Sequence, residues 1–169
     1  PLAGLPIGTR AGDLDAGILQ YLMNKYNMNI DEMLNILNKK SGVQGVSGVS
    51  SDFRDLEKAA AEGNQRAALA IDMFCYKTHK RIASAAAAMN GIDVLIFTAG
   101  VGENSPELRE KIANGLEFMG VQIDHDKNLV RGQEAIVSTS ESRVKILVIP
   151  TNEELVIAQD TARLVKEHQ

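Results

Sequence analysis

The sequence has a single cysteine, Cys75. That rules out an intrachain disulfide framework and a cysteine-based zinc site, and makes a reducing cytoplasm the simplest home. There is no basic excess either, since 18 Lys and Arg stand against 22 Asp and Glu for a formal charge of −4. Without a basic stripe, neither nucleic acid nor a membrane surface is expected as a partner. No apolar run approaches the ~18 residues that a bilayer span requires. The three histidines, His79, His125 and His168, lack metal-ligand spacing, and no tandem repeat occurs at periods of about 20 to 50 residues. An initiating Met is absent too. The chain opens on Pro1 without the basic start or apolar stretch of a secretory leader, so it reads as a processed or shortened piece of a longer chain.

What is present suits a globular protein: 169 residues, 44% hydrophobic and 24% charged. This length fits one compact domain and could bury roughly 70% of the unfolded surface. The opening PLAGLPIGTRAGDLD is rich in Gly and Pro and reads as a loop. Asp13 or Asp15 then caps a helix carrying Ala16, Leu19, Leu22, Met23 and Tyr26. A second helix fits Ile30 to Lys40. Ser41 to Ser51 is Gly- and Ser-rich and reads as an internal loop, because the segments on either side are too small to fold alone. Asp52 to Glu62 is a short helix stopped by Gly63. Asn64 to Asn90 gives the longest helical signal. Its two apolar stripes, one of them Leu69, Met73, Tyr76, Ala83 and Ala87, predict a central position.

Val94 to Thr98 suits a buried parallel strand, followed by a Gly-containing turn at Ala99 to Asn104. A helix capped by Ser105, with Pro106 in its first turn, comes next. Val121 to Ile123, Ala135 to Ser138 and Val144 to Ile149 read as strands, and Thr151 to His168 as the last helix. This order predicts an α/β fold.

Two strand-to-helix junctions carry chemical promise. In FTAGVGENSPE, glycines let backbone approach a ligand, and the following helix start offers free N–H groups to a phosphate. A tight turn alone would also want glycine. In VIPTNEELVIAQD, Thr151 and Glu154 have capping-box spacing, which explains Glu154 structurally. Glu153 gains from the helix dipole, yet an acid at the carboxyl end of a strand is also where a magnesium ion with phosphates would bind. Arg10, in GTRAGDLD, could reach a transferring phosphoryl group or simply pair with Asp13 or Asp15. Asp52-Phe53-Arg54 is open in the same way, since Ser51 or Asp52 can cap a helix.

Taken in order, GTRAGDLDAG (8–17), SSDFRDLE (50–57), VLIFTAGVGENS (94–105) and IPTNEELVIAQD (149–160) resemble the C-terminal part of the acetate kinase family. The resemblance runs from Pro1 to Arg163. It implies the ribonuclease-H-like fold of the actin-like ATPases, with an incomplete sheet flanked by helices. Residues 1–169 would then form a C-terminal nucleotide-binding domain whose N-terminal domain is absent. It further implies reversible phosphoryl transfer between ATP and acetate, giving acetyl phosphate and ADP, with Mg²⁺ (or Mn²⁺). The arginine stabilising the phosphoryl group matches Arg10. Nucleotide contacts match Asp52, Phe53 and Arg54, and then Gly100, Val101, Gly102, Glu103 and Asn104. Glu153 matches the metal-site glutamate and Pro1 the residue beside the acetate methyl pocket. A cytoplasmic homodimer is implied, and the chain by itself is expected to be inactive. Two alternatives stand beside this reading: a propionate or butyrate kinase, and a dinucleotide-binding oxidoreductase using Gly100-x-Gly102-x-x-Ser105 with Asp124 on the ribose.

Overall fold

The computed structural model describes residues 2–167; Pro1 and His168 lie outside them. The chain divides after Gly91 into two compact units. The first holds α1 (Ala16–Tyr26), α2 (Ile30–Lys39), α3 (Gly42–Ser47), α4 (Phe53–Ala61) and α5 (Gln65–Ala88). The second holds β1 (Val94–Phe97), α6 (Ala99–Asn104), α7 (Pro106–Ala113), β2 (Ala135–Ile136), β3 (Lys145–Val148) and α8 (Glu153–Glu167). Among the described residues no helix is long and apolar enough to cross a membrane.

In the first unit α1, α2, α4 and α5 begin where a polar side chain replaces missing backbone partners. Asp15, Asn29, Asp52 and Asn64 accept from the first-turn N–H groups of α1, α2, α4 and α5. The core forms where α3 and α4 pack on α5. Ala67 and Ala70 of α5, Val43 of α3 and Leu56 of α4 are fully buried there. Burying a leucine in this way stabilises by about 1.5–3 kcal/mol. Phe53 and Phe74 meet at 4.6 Å with tilted rings.

The expected loop over Ser41 to Ser51 is instead partly helical, as α3. The opening loop forces this: Ile7 and Gly8 carbonyls accept from the N–H groups of Val43 and Gln44, and Gly42 takes a φ of +62° where a β-carbon would lie 1.9 Å from the Ile7 carbonyl oxygen. Long-range bonds and the burial of Val43 outweigh Gly- and Ser-rich composition. Helix α5 is central in its unit, since α3 and α4 both pack on it, but Leu69 and Tyr76 of its second stripe are exposed.

The second unit has a three-stranded mixed sheet in the order β1-β3-β2, with β1 parallel and β2 antiparallel to β3. The α/β class is as expected, but β1 is an edge strand with Val94 and Ile96 half exposed, not a buried one. Val121 and Ile123 make only isolated bridges, to Val144 and Ser138. Ser105 caps α7 through the Leu108 N–H, with Pro106 next. Leu108 and Ile112 of α7 are buried, as is Leu116 beyond its end at Ala113, while Met119 is only half-buried.

Candidate functional site

In the first unit the opening loop is fixed by its backbone. The Arg10 carbonyl accepts from Ile7, and Ala11 N–H donates to Leu37 O at 2.9 Å. The Thr9 hydroxyl donates to Asn38 O. Arg10 itself is exposed and, among the described residues, its guanidinium has no partner. The local pairing that sequence left open is not made, because Arg81 takes Asp13 at 2.8 Å. A β-carbon at Gly8 would lie 3.2 Å from Ser51 Cβ and Ser51 O. The loop bearing Arg10 therefore abuts the residue that precedes Asp52.

Asp52 caps α4 through the Arg54 N–H and also accepts from the Arg54 guanidinium. Those side-chain bonds hold its pKa down at about 2. The Phe53 ring is a core group against Phe74, 8% exposed, so only Asp52 and Arg54 of this trio offer side chains outward.

In the second unit the expected turn at Ala99 to Asn104 closes into the six-residue helix α6. Ala99 has a φ of +58°, which turns the chain sharply out of β1. Gly102 is needed for packing, because a β-carbon there would come within 3.2 Å of Phe97 C; at Gly100 it would meet nothing within 4 Å. The segment is then tied at almost every residue. Asn104 Nδ2 donates to Gly100 O, Gly132 N–H to Glu103 O, and the Arg131 guanidinium to Asn104 O. Gly102 O accepts from Arg109.

Arg109 was not visible as a site residue in the sequence. It is 1% exposed. It donates to Gly102 O, to both Asn128 Oδ1 and Asn128 O, and to Val130 O, with no carboxylate among these acceptors. The available signal was its place three residues before Ile112, on the buried face of α7.

The carboxylate of Glu103 accepts both the N–H and the hydroxyl of Thr151, at 2.7 and 2.9 Å. These bonds hold its pKa below the ordinary carboxylate range. They also replace the expected capping box, for α8 is capped by Asn152 Oδ1 on the Leu155 N–H, not by Thr151 with Glu154. Glu153 opens α8 with an exposed carboxylate that has no partner among the described residues. No group of three or more His, Cys, Asp or Glu side chains is gathered for a metal among those residues. A magnesium ion carried on nucleotide phosphates needs only one or two protein carboxylates, and Glu153 fits that demand.

Arg10, Asp52 and Arg54 thus belong to one unit, Gly100 to Asn104 and Glu153 to the other. Pro1 lies outside the described residues. Asp124, the ribose acid of the dinucleotide alternative, accepts from the Lys127 N–H and pairs with its ammonium.

The profile of the acetokinase family matches residues 1–159. The chain belongs to the acetokinase family. It is 63% identical to an acetate kinase of Treponema denticola over 98% of this chain and 42% of that protein. A crystal structure of Porphyromonas gingivalis acetate kinase superposes with a TM-score of 0.92 at 48% identity, over 98% of this chain and 42% of that one. A propionate kinase from Francisella tularensis superposes with a TM-score of 0.87 at 40% identity, over 94% and 40%. The chain spans about two fifths of the length of these acetokinase relatives.

Proposed function

We propose that this chain supplies the nucleotide side of an acetate kinase, which moves a phosphoryl group reversibly between ATP and acetate to give acetyl phosphate and ADP. The observation that carries this reading is the 63% identity to the Treponema denticola acetate kinase along 98% of the chain. Phosphoryl transfer passes through a loose transition state with charge spread over the equatorial oxygens. Arg10, with its unpaired guanidinium on a fixed loop, is suited to stabilise that charge. Asp52, Arg54 and the backbone of Gly100 to Asn104 bind and orient the nucleotide. Magnesium or manganese, when bound, neutralises phosphate charge, and Glu153 is the residue that would hold it.

Residues 1–169 act here as a C-terminal nucleotide-binding domain, with an N-terminal domain completing the acetate site in a cytoplasmic homodimer. By themselves they make no acetyl phosphate. Hydroxamate trapping of acetyl phosphate from acetate, ATP and residues 1–169 would overturn that clause. The main reading is tested on the full-length protein. ADP with Mg²⁺ raises its melting temperature and NADH does not, and acetate with ATP yields acetyl phosphate. Melting raised by NADH alone would sink it. The propionate kinase neighbour favours one second reading, decided by comparing kcat/KM for acetate and propionate.

A further inference from the structure

We propose that Glu103 is a positioning residue: through Thr151 it sets where Glu153 presents its carboxylate to a nucleotide-bound divalent cation. The inference rests on the kinase reading above and assigns Glu103 a part other than contact with the nucleotide. One oxygen of the carboxylate, Oε1, accepts both bonds from Thr151. Thr151 stands two residues before Glu153, at the entry to α8. Two further bonds lie at that entry. Ile149 N–H donates to Phe97 O, Asn152 caps the helix itself, and α8 has no buried residue. Among the described residues, the first turn of α8 is held by the strand that leads in and by the grip on Thr151.

Glu103 can act as that anchor because it is itself held. Its carbonyl accepts from Gly132, and the carbonyl before it accepts from buried Arg109. A line of bonds therefore runs from the interior, through α6, to the entry of α8.

The experiment measures Mn²⁺ binding to the full-length protein with ADP, by the electron paramagnetic resonance of free Mn²⁺. Wild type is compared with Glu103→Ala, Glu103→Gln, Thr151→Val and Thr151→Ser, with melting curves to confirm that each variant folds. Loss of an outer-shell partner weakens metal binding by about 10- to 100-fold, the expected result for Glu103→Ala. Thr151→Val keeps the N–H bond, so its loss is smaller, about threefold to tenfold. Glu103→Gln retains an acceptor oxygen and Thr151→Ser the hydroxyl, so both stay within about threefold of wild type. ADP binding without metal stays within about threefold in Thr151→Val and Thr151→Ser, since Thr151 lies outside the nucleotide-binding segment.

Glu103→Gln as damaging as Glu103→Ala would mean that the charge itself meets the ligand, and the positioning role would fall. Unchanged Mn²⁺ affinity in Glu103→Ala would end it equally. A wild-type protein that binds no Mn²⁺ with ADP would instead overturn the kinase reading, which separates the two failures.

Discussion

Arg10 and Arg109 are the same residue type under opposite construction. Arg10 ends in an exposed guanidinium without a partner, on a loop pinned through its backbone. Arg109 is buried, with its donors taken up by Gly102, Asn128 and Val130. In the first unit the backbone is fixed so that a charged head stays available. In the second a charged head is consumed so that a backbone segment, Gly100 to Asn104, stays fixed. The difference separates a group suited to meet changing charge from one suited to hold a shape, and spacing along the chain does not distinguish them.

The contrast can be broken in order of expected effect. Arg10→Ala in the full-length protein should cut turnover by about 10³- to 10⁵-fold, as for other arginines at a transferring phosphoryl group. ADP affinity should barely move. Steady-state kinetics with calorimetric ADP binding checks both, and equal losses would argue against the role. Arg109→Met should act on stability instead. Several buried acceptors lose their donor at ~1–3 kcal/mol each, so about 3–5 kcal/mol should be lost in urea unfolding. Arg109→Lys should recover little, because one ammonium cannot reproduce the fork. Gly42→Ala tests the backbone side. Its positive φ and the crowding Ile7 carbonyl predict a loss of about 2–4 kcal/mol and a loosened Arg10 loop, read from urea midpoints and amide exchange.

The smallest effect concerns Asp52. Its pKa is lowered from 3.8 to about 2, so the stability it contributes is fully present above 3.8 and is lost as pH falls towards about 2. The carboxyl is exposed, so the change in stability is slight. Its carboxyl resonance should titrate at about 2 in wild type and return towards 3.8 in Arg54→Gln.

Helix starts were legible in the sequence because their chemistry is local: Asp52, Asn64 and Ser105 each cap within three residues. The α/β class followed from the short apolar run at β1, the Ser105–Pro106 start and the strand before Pro150. Helix α3 was not legible, because it depends on carbonyls contributed from Ile7 and Gly8. Nor was the Thr151 to Glu103 contact, which spans 48 residues; the capping-box spacing pointed Thr151 at Glu154 instead. For the candidate site, motif order named the residues. Which of them keep outward-facing side chains was not readable, and Phe53, spacing aside, is a core ring.

Cys75 sits on the packed face of α5, 2% exposed, and carries the one thiol of residues 1–169. It therefore serves as a native clock for breathing of the helical unit. A thiol-reactive dye can label it only while α5 parts from its neighbours, so the labelling rate counts those excursions without a probe having to be engineered.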